Sequence, residues 1–155
     1  MGVCEMPVPD SVVKFNKDGV KFVSSVDRVS YTMKELSRAA LRDVGRFVCR
    51  IFRKSYYEHF NKYRGRVGKF TQYWVKYKYE KHPVLQVGVK PNGFYGGFQE
   101  LGTSKQPKLG LLTNAVYDNI PTIVKIESQY LSALEDEAKA LELISEKDYE
   151  GSGEE

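Results

Sequence analysis

The stretch from Phe94 to Ala115 constrains this chain more than any other, because within it the residue pattern changes backbone habit twice. It opens on an aromatic, glycine-containing run, Phe94-Tyr95-Gly96-Gly97-Phe98-Gln99-Glu100-Leu101. Read as extended backbone, Tyr95, Gly97 and Gln99 share one side, and Phe94, Gly96, Phe98 and Glu100 the other. The adjacent glycines fit a bulge or a close approach of another backbone. Gly102 offers the positive φ that ends such a strand sharply. Thr103 and Ser104 carry hydroxyls that can satisfy loop backbone groups. Pro107 stops any extension, and from about Leu109 the apolar residues recur at helical spacing. The order predicted is strand, loop, helix. Glu100, flanked by Phe98 and Leu101 at the strand end just before Gly102-Thr103, is expected to be partly buried and hydrogen-bonded to loop N–H groups or to a basic residue of a neighbour.

The rest of the chain supplies the partners for this device. Residues 1–11, with Pro7 and Pro9, read as a flexible arm. Val12–Phe15 and Val20–Val23 flank Asn16-Lys17-Asp18-Gly19, a hairpin signal. Thr32-Met33-Lys34-Glu35 reads as a capping box opening a helix that runs to about Phe60. Its apolar stripe is Leu36, Ala40, Val44, Phe47, Val48 and Ile51, in steps of three and four. Gly45 inside that helix costs about 1 kcal/mol against Ala, so close packing is the expected reason for it. Residues 61–69 read as a basic loop. Thr71–Glu80 alternates with period two: Tyr73, Val75, Tyr77 and Tyr79 on one face, Trp74, Lys76, Lys78 and Glu80 on the other. Val84–Lys90 returns after His82-Pro83. With Phe94–Leu101 these make a predicted three-stranded antiparallel meander. The final helical region is interrupted at Pro121, by a break or a kink. The fold class is α+β: one domain over residues 1–145, with 146–155 a disordered acidic tail.

Charge and composition narrow the function. The 155 residues, 41% hydrophobic, suit one domain with a real core. No run of apolar residues is long enough for a membrane span. Met1–Pro7 lacks a basic region followed by an apolar run, so no secretory signal is expected. Two cysteines, Cys4 and Cys49, without metal-ligand spacing fit a reduced, cytosolic origin. Residues 127–155 carry ten acids and two bases, whereas the whole chain is +4. A basic body with an acidic end suits head-to-tail contact between copies, or a body facing nucleic acid. Arg38, Arg42, Arg46 and Arg50 recur every four residues on one side of the first helix, a candidate assembly or DNA-facing surface. The bland reading of that row is a solvated face. Basic residues and aromatics also mix along residues 62–78, but the tyrosines alternate with the lysines, which favours core over base stacking. His59 and His82 stand apart from any carboxylate or serine constellation. No phosphate loop, metal motif or nucleophile elbow is present, so no enzyme and no cofactor are expected.

The stretch from Phe94 to Ala115 also resembles the signature of the tail-component, or neck, proteins of lambda-like siphophages. Tyr95, Glu100, Gly102, Thr103, Ser104, Lys105, Pro107, Leu112 and Ala115 match that pattern without a gap. Leu101 stands for a phenylalanine and Gly96 for a small alanine, and Phe98 lies within the motif. Gly110, Leu111, Thr113 and Asn114 depart from it, standing where Pro, Phe, Arg and Pro are usual. The resemblance implies a structural virion protein of the head–tail joint, located in the virion neck after assembly in the host cytoplasm. It implies a ring of copies about the DNA path, with the head-closure or connector protein on one side and the tail-terminator or tail-tube protein on the other. Non-specific contact with packaged DNA would follow, and no membrane is involved. Two alternatives remain: a tail-terminator ring capping the tube, and a soluble non-specific nucleic-acid-binding module using the basic helix face.

Overall fold

A helix of 35 residues, α1 (Val26–Phe60), is the axis against which the second sheet and the later helices pack. At 1.5 Å per residue it is about 52 Å long. It belongs to a computed structural model that describes residues 12–17, 20–24, 26–61, 66–76, 82–136, 139–140 and 142–143. The arm over residues 1–11 and the acidic tail over 146–155 lie outside the described residues. The fold is mixed helix and sheet, mostly helical. Its element order is β1 (Val12–Lys17), β2 (Val20–Ser24), α1, α2 (Arg66–Lys69), β3 (Thr71–Lys76), β4 (Val84–Val89), α3 (Tyr95–Leu101), α4 (Leu111–Tyr117) and α5 (Ile120–Ser132). The expected N-terminal hairpin is present as the antiparallel pair β1–β2.

The capping box at Thr32 is not the start of the helix. α1 begins six residues earlier, and the Thr32 hydroxyl donates to the Arg28 carbonyl at 3.0 Å. That back-bond is what a threonine makes inside a helix, where its own turn already supplies the acceptor. The apolar stripe is as expected and longer. Leu36, Ala39, Ala40, Val44, Val48, Phe52 and Tyr56 are buried. Phe47 and Ile51 are half-buried at its margin. Two core clusters divide the stripe. Leu36, Ala39 and Ala40 pack with Tyr130, Ala133 and Ala140. Phe52 and Tyr56 pack with Val67 and Ala115, flanked by Val89, Tyr95 and Leu112.

Between the clusters the β3–β4 sheet crosses α1. The strands pair antiparallel, with Tyr73 opposite Val87 and Trp74 opposite Gln86. Tyr73 and Val75 lie half-buried, while Trp74 and Lys76 are exposed, so the expected alternation holds over the described strand. Tyr77, Lys78, Tyr79 and Glu80 lie outside the described residues, as do 62–65 of the basic loop. Gly45 explains the crossing. A Cβ there would lie 2.6 Å from Tyr73 Cγ and 2.9 Å from Tyr73 Cβ. The Cβ of Tyr73 is fixed by its backbone, so no rotamer change relieves that contact. Gly45→Ala should therefore destabilise the fold by about 1–2 kcal/mol, overpacking outweighing the gain of about 1 kcal/mol in helix propensity. Thermal melts against wild type check the sign, and an Ala variant that melts higher would refute the close packing.

The third strand of the expected meander is a helix. Tyr95–Leu101 is α3, entered through a 3-10 turn at Pro91–Gly93, and among the described residues this sheet has two strands. Aromatic and glycine residues tolerate either state, so packing decides. As a helix the segment turns Gly96 under Val67, where an added Cβ would come within 2.8 Å, and sends Tyr95 into the core. Gly97 meets nothing within 4 Å.

Pro121 produces a break. α4 ends at Tyr117, and Pro121 sits in the first turn of α5, where its missing N–H costs nothing. Asn119 bridges the gap by donating from Nδ2 to the Ala115 carbonyl at 3.0 Å. α5 then ends in a 3-10 turn, Ala133–Glu135, and Asp136 is extended at φ −128°. A continuous helix projecting through residue 145 is therefore not formed. Ala140 is buried and Leu143 packs beside it against the N-terminal half of α1. Leu141 lies outside the described residues.

Candidate functional site

The motif residues form one hydrogen-bonded joint between α3 and α4. Glu100, half-buried in the last turn of α3, places its carboxylate over the N-terminus of α4. One oxygen accepts from Leu112 N at 2.9 Å. The other accepts from Thr113 N and from the Thr113 hydroxyl, both at 2.8 Å. These are N–H groups that a helix start leaves without partners, and a carboxylate there also meets the positive end of the dipole. The loop answers in kind at the other end. Leu109 N donates to the Gln99 carbonyl at 3.0 Å and Gly110 N to the Glu100 carbonyl at 3.3 Å, satisfying carbonyls at the C-terminus of α3. Each helix end is thus closed by the other.

Two residues make the return path possible. Gly102 has φ 82° and ψ 164°, a conformation open essentially to glycine alone. A Cβ there would lie 2.9 Å from the backbone nitrogen of Lys108. The positive φ read from the sequence is thus real, but it ends a helix instead of a strand. Thr103 closes the hairpin-like tip: its backbone exchanges hydrogen bonds with Gln106, and its hydroxyl accepts from Gln106 N at 3.1 Å and Lys105 N at 3.3 Å. Ser104 and Pro107 are exposed on that tip. Tyr95, Leu112 and Ala115 point the other way, into the core.

Thr113 is a member of the joint that the sequence comparison marked only as a departure. Its hydroxyl supplies the third donor to Glu100, and the signal was there in the form of a hydroxyl in a helix first turn. The outward face of α3 was also missed. Phe94 is 68% exposed, Phe98 54% and Leu101 76%, and the two phenylalanine rings meet edge to face at 6.2 Å. Spacing of four and three residues makes these one helical stripe, which strand alternation had divided between two faces.

The arginine row does not form one open face. Arg38 pairs with Glu35 at 3.4 Å, its side chain 18% exposed. Arg42 is half-buried and engaged. Arg46 lies 4.0 Å from Asp43 and donates from Nε to the Tyr73 hydroxyl at 3.2 Å. Asp43 in turn accepts from the Tyr130 hydroxyl. A polar chain therefore runs from α5 through α1 to β3, and three of the four arginines, Arg38, Arg42 and Arg46, are engaged within the fold. Arg50 is the exposed one. Arg53, further along, clamps the start of β3 by donating to the carbonyls of Gly68 at 3.1 Å and Thr71 at 2.8 Å. We expect Arg46→Ala to cost about 1 kcal/mol, a typical net hydrogen bond. Arg50→Ala should stay within about 0.5 kcal/mol of wild type, as surface changes do. Denaturant titrations of the two variants side by side check the difference.

Among the described residues, no group of three or more His, Cys, Asp or Glu is placed to hold a metal ion. His59 and His82 are exposed. Cys49 is buried, and burial pushes its thiol up against the lowering pull of Arg53, which keeps it inert at neutral pH. Burial likewise raises the Tyr56 phenol, whose hydroxyl donates to Gln99 Oε1 at 3.0 Å. A crevice beside that pair has a cavity volume of about 10 Å³, room for about one water molecule and far below the range of small-molecule pockets. No helix among the described residues is long and apolar enough to cross a membrane. Comparison with protein-family models, with curated proteins and with solved structures finds no match for this chain.

Proposed function

We propose that this chain is a structural protein of a bacteriophage or prophage neck, joining the capsid connector to the tail as a ring of copies around the DNA path. The observation that carries the reading is the joint itself. Glu100, Gly102 and Thr103, the residues of the resemblance, act together as a single α3–loop–α4 fastening, each in a role its chemistry requires. A signature made of a cap, a glycine-only bend and a turn serves shape and assembly, and it asks for no substrate, metal or cofactor. The partners on this reading are further copies of the chain, the head-closure protein and the tail terminator or tail tube. The test is localisation. Gold-labelled antibody against the protein should mark the neck of intact particles, and phage lacking its gene should yield filled heads separate from finished tails. Label at the far end of the tail, or normal particles without the gene, would sink the proposal. Label confined to the free end of unjoined tails would favour the tail-terminator alternative.

The rival reading, a soluble nucleic-acid-binding module, draws on exposed Arg50, Lys54, Arg66 and Lys69 around α1 and α2. The engagement of Arg38 and Arg46 within the fold weighs against a dedicated binding face. Duplex DNA binding by a monomer, with a salt slope of about 0.9 per phosphate contacted, would favour it.

A further inference from the structure

Two exposed apolar stripes of the molecule lie in chain regions of opposite charge. The first is the outward face of α3, Phe94, Phe98 and Leu101. The second is on α5 and its terminal turn. Ile120, Val124, Leu131 and Leu134 are 46%, 55%, 64% and 39% exposed. At 100° per residue the three in α5 fall within a narrow arc, opposite in role to Ile126 and Tyr130, which face the core. An isolated exposed apolar residue needs no explanation, whereas contiguous stripes of this kind mark contact surfaces.

Charge says what covers them. Residues 44–117 hold fourteen basic and three acidic side chains, and residues 118–155 hold three basic and eleven acidic. Around α3 the flanking cations are Lys90, Lys105 and Lys108, the last two exposed. The only acid between His82 and Tyr117 is Glu100, whose oxygens already serve α4. The α5 stripe carries Glu127 among its members and Glu135 at its end. The stripes also belong to different halves of α1. Tyr95 packs beside Phe52 and Tyr56, while Tyr130 and Ala133 pack beside Leu36 and Ala40. The sixteen residues from Leu36 to Phe52 rise about 24 Å.

We infer that the α3 stripe of one copy docks on the α5 stripe of the next, with Lys105 and Lys108 facing Glu127 and Glu135 across the contact. Unlike surfaces on one chain make a heterologous, head-to-tail contact, the kind that closes rings. The apolar centre excludes water, and the charged rim sets orientation and rejects the reversed pairing. The contact rests on the ring reading and names the surface through which the ring is built.

The experiment uses the full chain and sedimentation velocity. Wild type should sediment as a multimer. Phe98→Arg and Leu131→Arg, one in each stripe, should each be monomeric with unchanged helical circular dichroism. Mixed one to one, they should form a dimer and nothing larger, since the mixture offers one intact α3 stripe and one intact α5 stripe that can meet. If either Arg variant loses helicity, the charge-reversed pair Lys105→Glu with Lys108→Glu, and Glu127→Lys with Glu135→Lys, replaces it: each alone should be monomeric, and mixed one to one they should assemble into multimers larger than a dimer, since both contacts are then charge-matched. A monomeric wild type overturns the contact. So do variants that assemble like wild type, and variants that fail to rescue each other. The neck reading falls separately, on antibody label absent from the neck of particles, whatever these mixtures do.

Discussion

Replacing Glu100 with Ala is expected to destabilise the fold by about 3 kcal/mol, since bonds to a charged acceptor are worth about 1.5–3 kcal/mol each and water recovers part of the loss at a half-buried site. Two backbone N–H groups at the start of α4 and the Thr113 hydroxyl lose their acceptor at once. For a chain of this size that corresponds to a fall of about 6–12 °C in the melting midpoint. Glu100→Gln keeps the shape and one acceptor oxygen, and should lose about half as much, because its amide nitrogen then faces an N–H donor. Thr113→Ala should fall between the Gln variant and wild type. Thermal melts of the three variants at one pH test the order. An Ala variant that melts with wild type would show that α4 needs no cap from α3, and the joint would lose its meaning.

The second large effect belongs to Gly102. Alanine there must adopt φ 82° and ψ 164° and place a Cβ 2.9 Å from the Lys108 nitrogen. Strain of about 1–3 kcal/mol for the conformation adds to a similar cost for the contact, so Gly102→Ala should lose about 3 kcal/mol. The Lys108 backbone cannot step aside, because the next residue is tied to the Gln99 carbonyl. Gly97→Ala is the matched control. It lies inside α3 with nothing near its absent Cβ, so it should gain about 0.5–1 kcal/mol from helix propensity. Opposite signs at two glycines five residues apart would show that the bend, and not glycine content, is what the motif requires. Equal effects would refute it.

Both predictions bear on function as well as stability. The α3 stripe of Phe94, Phe98 and Leu101 is held outward only because α3 is helical and closed at its C-terminus by the returning loop. If the proposed contact between copies holds, a variant that loosens the joint should therefore weaken self-association before it unfolds the chain. Sedimentation below the melting midpoint reads that difference directly.

How far the residues determine this fold by themselves is clearest along α1. Steps of four among Leu36, Ala40, Val44 and Val48 specify the buried stripe, because the helical period alone decides which side chains share a face. Gly45 signals close packing, Asn16 to Gly19 a hairpin, and Pro121 an interruption of the last helical region, each from the local chemistry of a few residues. Only the tertiary structure decided three other things. Thr32 with Glu35 carries a complete start signal, yet α1 runs through it, since a hydroxyl can bond back within a helix as readily as cap one. The arginine row has perfect helical spacing, but spacing does not reveal that Asp43 and Tyr73 engage Arg46, the latter from 27 residues away. Phe94 to Leu101 satisfies strand alternation and helical periodicity alike. Its choice depends on donors at Leu112 and Thr113 and on the room beneath Val67, contacts that no local pattern of eight residues contains.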